Sequence, residues 1–268
     1  MPRLDVYLTE NNLAKSRQRA KELIKSGGVQ VNGRVISKPS AEVGENDQIK
    51  LLKEDFAYVS RGLLKLEKAL AEFEIDVTGL VCADIGASTG GYTQCLLDKG
   101  AEFVYAVDVG HGQLDKSLVE NPKVKNCEGV NARYLTPEFF DRQIDFMGVD
   151  LSFISLTLVM PALAEVIKTD GEICALIKPQ FEVGKKGIGK NGIVKNPAEH
   201  IRILNELISF FGKLGLSVNG LTNSPIKGGD GNIEYLVYLK KSDEKSLFSA
   251  NDTDKFVRKV FSAFSSKE

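Results

Sequence analysis

Residues 80–100 read LVCADIGASTGGYTQCLLDKG, and the reading of this stretch decides the fold. LVCADI suits a buried strand, ASTGG a glycine-rich turn, and the residues after it a helix. A second apolar strand, FVYAVDVG (residues 103–110), follows and carries Asp108 near its end. Strand, glycine turn, helix and strand make the repeating unit of a doubly wound α/β sheet. Ligands bind such a sheet beyond the carboxyl ends of its strands, where glycines let a backbone approach closely and an acidic residue on the next strand accepts bonds from ribose hydroxyls.

The turn discriminates between two ligand classes. A dinucleotide fingerprint is G-x-G-x-x-G, with a pyrophosphate at a helix N-terminus. Here the chain reads Asp84-Ile-Gly86-Ala-Ser-Thr-Gly90-Gly91. An anionic Asp84 at the strand end opposes a pyrophosphate and suits a cation. S-adenosyl-L-methionine carries a sulfonium and an ammonium group, so the D-x-G form favours it over a turn with another ligand or none. Asn131, in GVNARYL (residues 129–135), follows the third strand candidate, where class I methyltransferases place a residue near the adenine ring; an ordinary turn asparagine is the other reading. His111, just past Asp108, reads as a structural or solvent-facing loop residue rather than a base.

Two more apolar runs close on charges. IDFMGVDLSFISL (residues 144–156) reaches Asp150, and EICALIKPQFE (residues 172–182) reaches Lys178 directly before a proline. Successive parallel strands bring these two residues to one edge of the sheet. A charge buried alone is costly, so a strand-end lysine is expected to have a carboxylate partner. The pair is either catalytic or an inert ion pair. Lys65, in SRGLLKLEKAL (residues 60–70), opens the helix leading into this domain, and Glu234, in GGDGNIEYLVYL (residues 228–239), opens the last strand. Asn196-Pro197 marks a helix start ahead of LSVNGLTN, which with IEYLVYL forms an antiparallel final pair. Phe256, Val257, Val260, Phe261 and Phe264 give a tail helix an apolar face that docks on the body, a partner or RNA-positioning role being the other reading.

Composition bounds the remaining classes. At 268 residues, 43% hydrophobic, the chain can hold one large α/β domain and a small module. No window reaches the roughly 18 to 20 uninterrupted apolar residues of a membrane span, and MPRLDVYLTE lacks a signal-peptide core, so a cytoplasmic location without membrane contact is the expectation. Cys82, Cys95, Cys127 and Cys174 lie far apart, and with His111 and His200 the only histidines, no metal-ligand spacing occurs. Reduced, buried thiols and no metal are expected.

The net charge of −1 conceals an asymmetry, because residues 1–40 carry eight Lys/Arg against three Asp/Glu. A compact basic segment on an acidic chain suits a polyanion such as nucleic acid. In SRQRAKELIKSGG (residues 16–28), Ser16 can cap a helix and Gly27 can end it, with Ala20, Leu23 and Ile24 on its apolar stripe. Arg17, Lys21 and Lys25 then recur at i, i+4 and i+8, a row suited to successive phosphates or to a solvated face. VQVNGRVI (residues 29–36) carries the Asn32-Gly33 hairpin signal, with Arg34 just past the turn.

These residues carry two resemblances. RLDVYL, the basic helix, the Val-rich strand and the Asn-Gly turn resemble the S4 RNA-binding domain over about residues 3–50. IGASTGGYTQCLLDKGA, DVGHGQL, DLSFISL, IKPQFEVGK and GNIEY, in that order, resemble the TlyA family, also called hemolysin A, within the broader FtsJ-like group of ribose 2′-O-methyltransferases. The TlyA likeness spans Arg3 to about Lys240. It implies a class I Rossmann-like methyltransferase sheet, mostly parallel with an antiparallel last strand, behind a small N-terminal α+β S4 domain. The implied domains are 1–55 for S4, 56–60 for a short linker with aromatic anchors, 61–242 for the methyltransferase and 243–268 for the tail.

The resemblance further implies S-adenosylmethionine as cofactor, cytidine ribose of ribosomal RNA in ribosomal subunits as substrate, and a catalytic tetrad of Lys65, Asp150, Lys178 and Glu234. Expected cofactor contacts are Asp84, Gly86, Ser88, Thr89, Gly90, Gly91, Asp108, Val109, Asn131 and Asp150. Arg3, Arg17, Arg19, Lys21, Lys25 and Arg34 are the expected RNA contacts. Many relatives read R-G-G before the first tetrad lysine, where this chain has Arg61-Gly62-Leu63. The Gly/Lys-rich stretch EVGKKGIGKNGIVKN (residues 182–196) either closes over RNA phosphates or is a solvated loop. A membrane-active hemolysin finds no spanning helix to support it, and a non-catalytic RNA-binding factor would not need the tetrad.

Overall fold

The computed structural model describes the chain except at positions 1, 12, 15–16, 26, 45–46, 53–57, 185–188, 190–191, 229–230, 243–245, 249 and 266–268. The expected Ser16 cap, positions 56–57 of the connector and positions 185–188 and 190–191 of the Gly/Lys stretch lie outside the described residues. The chain divides into two compact units, Met1–Val59 and Ser60–Glu268.

In the first unit, α1 (Leu4–Glu10) and α2 (Arg17–Lys25) pack beside a small antiparallel sheet of order β2-β1-β3. Its strands are β1 (Val29–Val31), β2 (Arg34–Val35) and β3 (Ile49–Leu51). Leu4, Leu8, Ala20, Leu23, Ile24, Val29 and Val43 are buried together, so the expected helix stripe faces the core. Gly27 ends α2 at φ 72°, with the Gly28 amide donating to the Leu23 carbonyl at 2.9 Å. Asn32 and Gly33 both take positive φ, 50° and 78°, the backbone of a two-residue turn matched to the strand twist. The Asn32 side chain also donates to Asp47 at 2.7 Å and accepts from the Gln48 amide at 2.9 Å, which ties the hairpin to the segment leading into β3.

The second unit is a seven-stranded sheet of order β6-β5-β4-β7-β8-β10-β9. Its strands are β4 (Val81–Ile85), β5 (Phe103–Asp108), β6 (Val124–Glu128), β7 (Ile144–Val149), β8 (Ile167–Ile177), β9 (Leu216–Asn223) and β10 (Tyr235–Lys241). β4 to β8 pair in parallel; β10 runs antiparallel to both β8 and β9, as expected for the last strand. The helices are α3 (Leu63–Glu72), α4 (Gly91–Asp98), α5 (Lys116–Val119), α6 (Met160–Val166), α7 (Pro179–Glu182), α8 (Pro197–Lys213) and α9 (Ala250–Ser265).

Strand alternation divides the core between the two faces. Ile173, Ala175 and Ile177 of β8 join the cluster that includes α6 and α8, while Cys174 and Leu176 join Leu66, Leu70, Tyr92 and Leu96 of α3 and α4. All four cysteines are buried and free. Asn196 caps α8 by accepting from the Ala198 amide at 3.0 Å. The tail helix α9 buries Val257 and Val260 in the first cluster, with Phe256, Phe261 and Phe264 packed around them. Burying two such side chains stabilises the fold by roughly 1.5–3 kcal/mol each.

β8 starts earlier than its apolar run indicates. Ile167 pairs with Ile144, then the register jumps so that Phe146 faces Glu172. The intervening residues include Asp170 at φ 59°, a left-handed kink followed by Gly171. Lys168 of this bulge pairs with Asp145 of β7.

Candidate active site

The carboxyl ends of β4, β7 and β8 meet at one edge. Lys65 projects from the first turn of α3, Asp150 follows β7, Lys178 follows β8, and Glu234 precedes β10. Lys178 Nζ lies 2.6 Å from Asp150 Oδ1, Lys65 Nζ 3.5 Å from Asp150 Oδ2, and Lys65 Nζ 2.9 Å from Glu234 Oε2. Four residues drawn from four places in the chain thus form one alternating series of charges. Their side chains are between 3% and 18% exposed, so solvent screens the pairs weakly. Arg61-Gly62-Leu63 does not disturb this: Gly62 receives support from Ser60 Oγ at 3.0 Å, and Leu63 is buried in the α3 core.

Sequence reasoning missed the neighbours of Lys178. Its Nζ also donates to Ser152 Oγ at 2.8 Å. Phe153, next in the chain, adopts φ 64° and is 90% exposed, with Phe181 of α7 at 5.1 Å between ring centroids. A bulky residue held at positive φ with its ring in solvent is strained without burial in return, a pattern that recurs at functional sites. Asp150, Ser152 and Phe153 share the DLSF stretch and Lys178 and Phe181 share KPQF, so adjacency to the charged strand ends was the available signal.

The expected cofactor residues cluster beyond β4 and β5. Asp108 accepts from the Ser88 amide at 2.8 Å and the Gly110 amide at 2.7 Å, which folds the glycine turn against the end of β5. Ser88 itself sits at φ 47°. Ser88, Thr89 and Val109 are exposed along this edge, and each Asp108 oxygen keeps lone-pair capacity for a further donor. Asn131 accepts from the Arg133 amide at 3.1 Å, the turn role that its other reading foresaw. His111 is exposed. Glu128, unanticipated, accepts from the Gly112, Gln113 and Leu114 amides; these bonds and that from Asn126 hold its carboxyl down at about 2 and shape the loop after Asp108.

Two of the glycines also admit close protein backbone. A Cβ on Gly86 would lie 2.4 Å from the Asp150 carbonyl oxygen, and one on Gly91 3.0 Å from the Leu63 amide. They admit the neighbouring protein backbone, and so draw the Asp150 strand end and the Lys65 helix together.

Asp84 is fully buried. One oxygen accepts from the Thr93 amide and hydroxyl, both at 2.7 Å, while Oδ1 has no partner among the described residues. Burial pushes the carboxyl up to about 7 against the Thr93 bonds, with Asp150 and Asp108 adding to the rise. An orphaned buried carboxylate oxygen fits a cationic ligand group, so the residues present suit S-adenosylmethionine. Among the described residues no cluster of His, Cys, Asp and Glu gathers as a metal site, and no helix is long and apolar enough to cross a membrane.

In the first unit Arg3 and Arg17 both turn to the buried Asp5, at 2.9 and 3.6 Å. They brace α1 and α2 as well as presenting half-exposed guanidinium groups. Lys25 and Arg34 are exposed and Lys21 partly so; the Arg19 side chain lies outside the described ones.

Sheet order and the FtsJ-like family model together define an S-adenosylmethionine-dependent methyltransferase. The FtsJ-like methyltransferase family model matches residues 58–241, and the S4 domain model matches residues 2–49. The 16S/23S rRNA (cytidine-2′-O)-methyltransferase TlyA of Mycobacterium tuberculosis is 42% identical over 97% of each chain. Hemolysin A of Brachyspira hyodysenteriae is 40% identical over 88% of this chain and 99% of its own. A solved hemolysin-type chain from Streptococcus thermophilus is 41% identical, with TM-score 0.80 across 99% of this chain and 97% of that one. The chain belongs to the TlyA family of FtsJ-like methyltransferases that carry an S4 domain.

Proposed function

We propose that the protein transfers a methyl group to the 2′-hydroxyl of a cytidine ribose in ribosomal RNA. The observation that carries this reading is the Glu234–Lys65–Asp150–Lys178 series at the edge where a cofactor would lie. The names of the TlyA relatives support the substrate class, and the S4 unit supports an RNA partner.

A ribose hydroxyl is a poor nucleophile at neutral pH, and its activation needs a placed group that takes the proton or stabilises the developing oxyanion. Lys178 is that group, held by Asp150 and Ser152 on two sides. Lys65, pinned between Glu234 and Asp150, fixes the far oxygen of Asp150 and so its aim. Asp84, Asp108 and the 86–91 turn would hold S-adenosylmethionine, which when bound supplies an electrophilic sulfonium methyl. The remaining gain comes from proximity and orientation. The target nucleotide must be splayed out of its helix to reach the strand ends, and exposed Phe153 offers a base a face to stack on.

Nuclease digestion and mass spectrometry of ribosomal RNA methylated in vitro test the reading. Methyl on a cytidine ribose is the expected product; methyl confined to a base nitrogen or carbon would contradict it.

A further inference from the structure

The segment after Lys178 and the loop after Asp150 are fastened at four places. Lys178 reaches Asp150 and Ser152, Phe181 meets Phe153, and Glu182 closes the far end. Glu182 Oε2 accepts from Ser155 Oγ at 2.5 Å, and Oε1 accepts from the Leu156 amide at 2.8 Å. The near end of the loop is fixed where the Asp150 amide donates to the Ile85 carbonyl at 2.9 Å. Leu156 is 2% exposed and anchored in the core. Between the anchors stand Ser152, which bonds Lys178, and the strained, exposed Phe153.

Glu182 touches none of the tetrad, yet its carboxylate is half-buried and meets only neutral donors; no cation pairs with it among the described residues. Burying a carboxylate this way costs free energy that a neutral residue would not incur. Two charge-assisted hydrogen bonds on one loop offset that cost and give the loop a single register.

Resting on the methyl-transfer reading above, we infer that Glu182 is a positioning residue for that reaction. It clamps residues 155 and 156 so that Ser152 and Asp150 hold the Lys178 amine in transfer geometry and Phe153 keeps its outward face. Misplacement of a catalytic group by about 1 Å costs on the order of 100-fold in rate, so the clamp acts on turnover rather than on cofactor binding.

The test compares Glu182→Ala with Glu182→Gln in the full chain, the glutamine retaining an acceptor for the loop. Steady-state methyl transfer to ribosomal subunits gives kcat and KM, and calorimetry gives the Kd for S-adenosylmethionine. The chain contains no tryptophan, so a separate Phe153→Trp background supplies a single fluorescence reporter on the loop. The alanine variant is expected to lose kcat by about 10- to 100-fold with cofactor Kd held within about twofold, and to lower reporter anisotropy; glutamine should restore most of both. Should the alanine chain not fold, Ser155→Ala removes the hydroxyl arm, together with the bond that Ser155 Oγ accepts from the Thr157 amide at 3.1 Å, and is expected to show the same pattern more weakly. Unchanged kcat and anisotropy in the alanine variant, or an equal loss of cofactor binding and turnover, would overturn the inference. A wild-type chain inactive on both subunits would instead count against the substrate reading, while the anisotropy comparison would still decide the clamp.

Discussion

The carboxylate of Asp150 lies 2.6 Å from the Lys178 ammonium, and its second oxygen faces Lys65 at 3.5 Å. One anion therefore orients two cations that would otherwise repel at a sparsely hydrated strand edge. The uncharged, nearly isosteric substitution Asp150→Asn leaves both amines short of a partner. Removing one member of a buried pair costs about 3–5 kcal/mol, and loss of acid–base chemistry about 100-fold or more in rate. Asp150→Asn is expected to lower both the melting temperature and kcat, read by thermal unfolding and single-turnover methyl transfer.

Asp84 is expected to make cofactor binding depend on protons. Its carboxyl is raised from 3.8 to about 7 in the folded chain. Below 3.8 both folded and unfolded chains hold the proton; as pH rises towards about 7 the unfolded chain sheds it first, so this group progressively destabilises the folded enzyme across that window. A cationic ligand beside Asp84 favours the ionised form. Binding of S-adenosylmethionine near neutral pH is therefore expected to release a proton, measurable by calorimetry in buffers of different ionisation enthalpy, and Asp84→Asn to abolish that release.

Gly86→Ala tests whether the glycine turn serves packing. The position has φ 91°, and the added methyl would meet the Asp150 carbonyl at 2.4 Å. Left-handed backbone strain alone costs about 1–3 kcal/mol. A lower melting temperature of the free protein is the expected result, whereas unchanged stability with weakened cofactor binding would leave the glycine a ligand role alone.

Phe153 is 90% exposed and contributes little to the core. Stacking of a base on an aromatic ring is worth about 1–3 kcal/mol, so Phe153→Ala should raise KM for RNA by about tenfold with an unchanged melting temperature. Calorimetry should find S-adenosylmethionine binding intact.

Much of this architecture was legible because strand periodicity and strand-end chemistry coincide: Asp84, Asp108, Asp150 and Lys178 each mark an apolar run reaching the same edge. The start of β8 was hidden by the polar bulge around Asp170, whose left-handed kink lets pairing resume three residues late. Asp84 reads as a strand-end charge open to a ligand, but the fold buries it against Thr93, a contact set by the pitch of α4 rather than by local sequence. Arg3 and Arg17 read as free cations; Asp5 lies two residues from Arg3, but tertiary packing brings Arg17 to it. Ser152, Phe153 and Glu182 carried only the signal of adjacency to the strand ends, because their meeting depends on the turn at Phe153.

The central claim is that Lys178 activates a ribose hydroxyl. The most direct measurement is transfer of labelled methyl from S-adenosylmethionine to separated ribosomal subunits lacking the modification, comparing wild type with Lys178→Ala. Label on ribose 2′-oxygens with the wild type, reduced about 100-fold or more in the variant while cofactor binding persists, is the predicted result. Equal labelling by both chains, or none by a wild type that binds cofactor, would contradict it.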